Sequence, residues 1–284
     1  MTDRPAMDRV PTSLGELAYL DEGTGEGVLL LHGWPVDVTL WRRMVPLLAA
    51  RFRVVAPDLV LGGDLRDQAA AVRELLAALD VERLAVIGHS HGGGVAQLLA
   101  LDGPGVDAMV LLDSVAFDVT PPDDLEPRAF LERGSVEFAT LPDDDLAAYL
   151  AAPFRFAPDL AGALLGREPE LEALDLPAFL LWGEEDPFVP VSVAERLNAA
   201  IPASTLGVVP QSGHFLLDDA FESVGVLIAE WLRARYLGAP HGHEGLVMLQ
   251  LERRPPWVDL APYEQVDEEA ATPDPAEQEV GPNA

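Results

Sequence analysis

A serine stands between two apolar stretches of this chain, with a glycine two positions away on each side. Residues 84–87 are a short apolar run typical of a buried strand, residues 88–92 read GHSHG, and an Ala/Leu-rich helical stretch follows. A G-x-S-x-G turn between a strand and a helix strains the serine backbone, and its glycines allow close packing. The Ser90 hydroxyl would then project at a helix N-terminus, where backbone N–H groups favour a developing oxyanion. The pattern predicts that Ser90 is a nucleophile.

A serine hydroxyl is a weak nucleophile at neutral pH and needs a neighbouring base. The chain has six histidines. Two of them flank Ser90 too closely to reach its hydroxyl easily, one lies at an earlier strand end, and two follow the last predicted helix. His214 remains, in a loop between a predicted strand and the final helix, at the edge of the sheet that also carries Ser90. We therefore expect His214 to be the general base.

The base in turn needs a carboxylate that fixes its tautomer and orientation. Asp186 follows a predicted strand at the same edge of the sheet, and the chain order Ser90, Asp186, His214 is the one expected for a nucleophile in this type of turn. Asp113 also ends a strand at this edge and remains the alternative acid. Asp58 ends another strand but is better interpreted as a loop or helix-capping carboxylate.

An oxyanion in the transition state needs two hydrogen-bond donors. The backbone N–H of His91, directly after the proposed nucleophile, is the first candidate. The second is expected from the loop after an earlier strand, where residues 32–35 read HGWP and the backbone N–H of Trp34 is best placed. We predict that these two groups form an oxyanion hole.

The composition excludes several other kinds of chemistry. The chain has no cysteine, and its 18 basic residues are all arginine, so thiol nucleophiles, thiolate metal sites and lysine Schiff bases are absent. The pairs His89/His91 and His241/His243 resemble metal ligands, but no third ligand is evident, and we expect no metal. The glycines at 92–94 lack the spacing of a dinucleotide or phosphate loop, so we expect no cofactor.

The charge and hydropathy of the chain limit its partners. A formal net charge of −30 disfavours nucleic acid and anionic membranes, which would be repelled. No apolar run approaches the length of a membrane span, and the N-terminal residues do not resemble a secretory signal. We expect a cytoplasmic protein that acts on a small molecule; its oligomeric state is left open.

Apolar strand-like and amphipathic helix-like segments alternate along most of the chain, which predicts an α/β fold whose mostly parallel central sheet has helices on both faces. We assign residues 1–114 and 176–237 to this core. Residues 115–175 are rich in proline and aromatic residues and lack strand candidates, so they are expected to form a small helical lid over the carboxyl ends of the strands. The acidic, proline-containing extension at 238–284 is expected to be largely disordered.

From about residue 14 to residue 236 the chain resembles the α/β-hydrolase superfamily. The resemblance rests on HGWP (32–35), PDL (57–59), GHSHGG (88–93), LWGEEDPFVP (181–190) and SGHFLLDD (212–219). One departure follows Asp58, where the usual glycine-rich turn ending in serine is replaced by LVLGGDLRDQ, which alters one expected wall of the pocket.

The resemblance is to capped serine hydrolases, which include esterases, C–C hydrolases, lactonases and cofactor-free haloperoxidases. It implies an enzyme that cleaves an ester-type bond of a small to medium, largely apolar substrate through an acyl-enzyme. C–C bond hydrolysis, lactone hydrolysis and perhydrolysis on the same three residues are the alternatives, and a non-catalytic binding protein is a further one. Haloalkane dehalogenases and epoxide hydrolases of the superfamily carry Asp at the nucleophile position, so Ser90 argues against both activities.

Overall fold

A computed structural model describes residues 6–59, 63–117, 127–135 and 162–237. These residues form one eight-stranded sheet with the strand order β1-β2-β4-β3-β5-β6-β7-β8. The strands are β1 (Asp8–Thr12), β2 (Gly15–Glu22), β3 (Gly27–Leu31), β4 (Arg53–Asp58), β5 (Leu84–His89), β6 (Val106–Leu112), β7 (Ala178–Gly183) and β8 (Ser204–Val209). From β4 to β8 every neighbouring pair is parallel, as the alternation of segments predicts.

The first two strands run antiparallel to their neighbours. The sequence pattern at residues 14–20 favours an edge strand, and this expectation is wrong, because β2 lies between β1 and β4. The edge position belongs to β1, whose Pro11 has no N–H for a second neighbouring strand to use.

The helices of the described residues lie between consecutive strands from β3 onward and after β8. They are α1 (Met44–Ala49), α2 (Leu65–Ala78), α3 (His91–Leu101), α4 (Pro127–Gly134), α5 (Glu168–Leu171), α6 (Val191–Ala200), α7 (Leu216–Asp219) and α8 (Phe221–Tyr236), with a 3₁₀ helix at Val38–Trp41. Among them, α1 packs against α8, and α2 packs against α3. The chain therefore has the predicted layered α/β architecture, with helices covering both faces of a mostly parallel sheet.

Two helix predictions differ from the structure in their boundaries. The sequence over 41–50 predicts one short helix, but the structure has a 3₁₀ turn that ends at Trp41 and then α1. Pro46 lies in the first turn of α1, where its missing N–H is not needed. The last helix, predicted over about 219–236, is confirmed as α8, which begins at Phe221. Ala220, whose φ of −142° is not helical, separates it from the short helix α7. Phe215 separates α7 from His214.

Only part of the predicted lid, 115–175, lies within the described residues. In that part, Phe130 and Leu131 of α4 are fully buried and belong to the hydrophobic core. The extension at 238–284 lies outside the described residues. No helix in the described ranges is long and apolar enough to cross a membrane.

Candidate active site

Ser90 lies in the turn between β5 and α3, with φ 51° and ψ −117°. This left-handed conformation is strained for a non-glycine residue, and neighbouring backbone holds it in place. The Ser90 N–H donates to the carbonyl of Leu112 at 2.9 Å, and the Ser90 carbonyl accepts from the N–H groups of Gly93 at 3.0 Å and Val115 at 3.1 Å. The turn is therefore bound to the end of β6 as well as to its own helix.

The glycines around Ser90 are required by close backbone contacts. A Cβ on Gly88 would lie 2.5 Å from the carbonyl oxygen of Gly92, and a Cβ on Gly92 would lie 2.1 Å from that of Leu31. Both distances are far below a van der Waals contact, so the start of α3 can approach β3 and β5 only without side chains at these positions. The steric reason for the G-x-S-x-G spacing is thus visible in the fold.

The structure brings Ser90, His214 and Asp186 together, although 124 residues separate the first two in sequence. Nε2 of His214 lies 2.9 Å from Oγ of Ser90, and Nδ1 of His214 lies 2.8 Å from Oδ2 of Asp186. The other carboxylate oxygen of Asp186 accepts from the N–H groups of Phe188 at 2.8 Å and Val189 at 3.0 Å. Because a carboxylate only accepts, Nδ1 of His214 carries the hydrogen, and Nε2 is free to accept the proton of Ser90.

Helix α4 also contributes to the position of His214. The N–H of His214 donates to the carbonyl of Gly134 at 2.6 Å, and the hydroxyl of Ser135 donates to Oδ1 of Asp219 at 2.6 Å. A segment of the predicted lid is therefore bonded both to the main chain of His214 and to the short helix α7 that follows it.

Asp113, the alternative acid, lies at the end of β6 with φ 45° and is fully buried. Its Oδ1 accepts the N–H of Gly183 at 2.8 Å. Burial, and next the charge of Asp186, raise the pKa of Asp113 well above its usual value, although hydrogen bonds from the N–H groups of Gly183 and Leu216 oppose the shift. The carboxylate next to Nδ1 of His214 is that of Asp186, whereas Asp113 is hydrogen-bonded to the end of β7.

The loop that carries Trp34 lies directly against the nucleophile. A Cβ on Gly33 would lie 2.8 Å from Cβ of Ser90, so the chain passes this point only as glycine. His32 anchors the loop, because its Nδ1 is 2.9 Å from the carbonyl of Gly33 and its Nε2 accepts the N–H of Leu59 at 2.9 Å. His91, the first residue of α3, follows Ser90 directly, and the loop that carries Trp34 approaches Ser90 at Gly33. The donor roles of the Trp34 and His91 N–H groups stay a prediction.

The two histidines beside Ser90 are fully buried and neutral. Burial, followed by the charge of His214, lowers the pKa of His89 well below 6.5. Burial, followed by His32, lowers the pKa of His91 to about 3. Nε2 of His91 lies 2.7 Å from Oε1 of Gln68, a carbonyl-type acceptor, so this nitrogen carries the hydrogen.

Aromatic side chains surround the ring of His214. Phe130 and Phe188 stack with centroids 3.9 Å apart, and each meets His214 edge-on, at 5.6 and 5.4 Å. Trp34 packs edge-to-face on Phe130 at 5.0 Å, and Phe215 lies 5.3 Å from His214. These rings exclude water from the Asp186–His214 pair and make its surroundings apolar.

Sequence reasoning missed the contributions of His89, Gln68, Phe130 and Phe188. For His89, the only sign in the sequence was its position next to Ser90. That position argues against His89 as the base but does not indicate its contact with His214. In the described part of the chain, no group of three His, Cys, Asp or Glu side chains is arranged to hold a metal ion.

The fold is that of a known hydrolase family. The sequence profile of the alpha/beta hydrolase family matches residues 28–226, which include all three clustered side chains. The chain belongs to this family.

Individual relatives cover most of the chain. An uncharacterised protein of Mycobacterium tuberculosis is 30% identical over 273 residues, which span 76% of this chain and 80% of that protein. Haloalkane dehalogenase 2 of the same organism is 27% identical over 265 residues, 77% of this chain and 92% of its own length. The solved structure of a thermophilic esterase from Thermogutta terrifontis, with malate bound, is 26% identical with a TM-score of 0.69, covering 82% of this chain and 100% of the esterase.

Proposed function

We propose that this protein is a serine hydrolase that cleaves an ester-type bond through an acyl-enzyme. Ser90 attacks the carbonyl carbon, His214 accepts the proton of Ser90 and returns it to the leaving group, and Asp186 orients His214. The observation that carries the proposal is the continuous hydrogen-bonded line from Ser90 through His214 to Asp186, with distances of 2.9 and 2.8 Å.

The surroundings of Ser90 support the same reaction. The backbone N–H groups of Trp34 and His91 belong to the two segments that flank Ser90, and in this proposal they bind the oxyanion of the tetrahedral intermediate. Removal of one such donor typically costs about 3–4 kcal/mol of transition-state stabilisation. Water then attacks the acyl-enzyme with His214 as the base, so the cycle needs no cofactor.

The aromatic side chains suggest the substrate class. Trp34, Phe130, Phe188 and Phe215 form a buried apolar cluster beside His214, and apolar pockets select substrates of matching polarity. We infer a small to medium, neutral and largely apolar ester.

The first test is labelling of the purified full-length protein with a fluorophosphonate probe, which reacts with activated serines. The wild type should be labelled, and Ser90→Ala should not be. Loss of a nucleophile of this type lowers turnover by about 10⁶-fold, so the two outcomes are well separated. A wild type that stays unlabelled, or a Ser90→Ala variant that is still labelled, would refute the proposal.

A substrate panel then distinguishes the bond that is cleaved. Short p-nitrophenyl esters should be hydrolysed faster than lactones or vinylogous diketones, the substrates expected for lactone and C–C hydrolysis. Haloalkanes should release no halide, because dehalogenases of the superfamily resemble this chain except that Asp takes the place of Ser90. Halide release, or a preference for diketones over esters, would change the reaction assigned to these three residues.

A further inference from the structure

His89, the last residue of β5, is hydrogen-bonded to the main chain of the candidate base. Its Nε2 lies 2.7 Å from the main-chain carbonyl oxygen of His214, 125 residues further along the chain. A carbonyl can only accept, so Nε2 of His89 carries the hydrogen and the tautomer of this ring is fixed. The His89 ring also packs 5.0 Å from the ring of His214 and 5.2 Å from that of Phe215.

The other nitrogen of His89 faces the loop that carries Trp34. A Cβ on Gly33 would lie 2.8 Å from Nδ1 of His89 and equally close to Cβ of Ser90. This buried nitrogen has no hydrogen-bond partner among the described residues. One imidazole thus contacts both the His214 loop and the Gly33 loop.

The neutral state of His89 suits this location. Burial and the neighbouring His214 keep the pKa of His89 well below 6.5, so His89 remains uncharged when His214 takes up the proton of Ser90. A second cation beside a protonated His214 would oppose that transfer, whereas a neutral ring with one N–H only donates its hydrogen bond.

We propose that His89 is a positioning residue, whose Nε2–H holds the backbone of His214 so that the His214 ring reaches Oγ of Ser90. The inference rests on the proposed hydrolase function and adds a residue to it. His89 does not touch the reacting atoms; it acts through the main chain of His214, which is also held by the carbonyl of Gly134.

Three substitutions separate the hydrogen bond from simple packing. His89→Gln keeps an amide N–H near the place of Nε2, His89→Asn moves the amide to the place of Nδ1, and His89→Met fills similar space without a donor. The full-length variants are compared by their rate constants for fluorophosphonate labelling, by kcat and KM for a p-nitrophenyl ester, and by thermal unfolding. Activity is measured well below each unfolding midpoint, so that every variant is folded.

We expect His89→Met and His89→Asn to lose about 100-fold in kcat with little change in KM, the scale of loss that follows a displacement of about 1 Å. His89→Gln should recover at least ten-fold of this loss. Equal kcat in the Gln, Asn and Met variants would overturn the proposal, as would a folded Gln variant as slow as the Met variant. If neither Met nor Asn folds, a folded Gln variant that has lost 100-fold in kcat also overturns it.

The wild type distinguishes failure of this inference from failure of the proposed function. Labelled wild type with equally labelled His89 variants refutes only the positioning role. Unlabelled wild type refutes the hydrolase proposal and the role of His89 together.

Discussion

Oδ1 of Asp113 accepts a hydrogen bond from the backbone N–H of Gly183 at 2.8 Å, at the point where β7 ends. Three residues later the same turn presents Asp186 to His214. The two buried carboxyl groups therefore bind different parts of the same site. Asp113 holds the end of the strand, and Asp186 holds the ring, so the two side chains should respond differently to the same substitution.

Asp186→Asn should lower kcat by about 10⁴-fold, because an amide can stabilise the wrong tautomer of His214 and cannot stabilise its protonated form. Asp113→Asn should cause a far smaller loss, since an amide oxygen still accepts the N–H of Gly183. Ester hydrolysis by both variants, measured against Ser90→Ala as the blank, checks this order. The reverse order would make Asp113 the functional acid.

The midpoint of thermal unfolding of the Asp113→Asn variant is the control that it is still folded. The raised pKa of Asp113 means that the folded state holds this proton more tightly than the unfolded state. The stability that this group contributes is present at low pH, and it is lost as the pH rises above the usual pKa of an aspartate towards the raised pKa of Asp113. At pH 7 the asparagine variant should therefore unfold at no lower temperature than the wild type.

Gly92→Ala should prevent correct folding of the nucleophile turn, because its Cβ would lie 2.1 Å from the carbonyl oxygen of Leu31. Backbone at this depth cannot move aside without displacing β3. Gly103→Ala is the matched control, since its Cβ would lie 3.4 Å from Nε of Arg73, an ordinary contact. The measurement is the thermal midpoint together with fluorophosphonate labelling, and a Gly92→Ala variant as stable and reactive as Gly103→Ala would contradict the steric argument.

The core of the fold and the three clustered side chains follow from local patterns. Buried parallel strands are continuous apolar runs, so β3 to β7 were predictable. Ser90 is recognisable because the turn around it requires glycines at fixed nearby positions. The positions of Asp186 and His214 follow from one rule: residues after parallel strands meet at one edge of the sheet. The sequence could therefore place Asp186 and His214 near Ser90 without information on any individual side-chain contact.

What the sequence could not predict depends on contacts between distant segments. The hydrogen bond of His89 to His214 spans 125 residues and has no signature in the neighbourhood of either. Phe130 lies in a proline-rich stretch, and its burial arises from contacts with rings that are distant in sequence, since it stacks on Phe188 and packs edge-to-face on Trp34. β1 was missed because its five residues, DRVPT, are polar and contain proline, and pairing with β2 compensates for their weak strand propensity.

His91→Gln should reduce the loss of stability on acidification. An unfolded His91 takes up a proton near pH 6.5, but burial holds its folded pKa to about 3, so the unfolded state binds more protons between these values. Stability from this group is complete above pH 6.5 and is lost as the pH falls below it, by about 2 kcal/mol between pH 7 and pH 5. Glutamine keeps a donor for Oε1 of Gln68 and does not titrate.

Urea unfolding of the wild type and of His91→Gln at pH 7 and pH 5 measures this difference. The acidic surface also titrates on acidification, but it is common to both proteins, so the comparison isolates His91. The wild type should lose about 2 kcal/mol more than the variant. An equal loss in the two proteins would show that His91 is not held neutral by burial.

Phe130→Ala should change both the stability and the substrate preference of the protein. Its ring is fully buried, stacks on Phe188 and meets His214 edge-on, and truncation of a buried phenylalanine costs about 3–5 kcal/mol. The space left beside His214 should accept larger acyl or alcohol groups, so kcat/KM for a p-nitrophenyl benzoate should rise relative to the acetate. Phe130→Leu, which keeps most of the apolar volume, should shift the ratio less and lose less stability. An unchanged ratio in a folded Phe130→Ala variant would show that this ring packs the core without bordering the substrate.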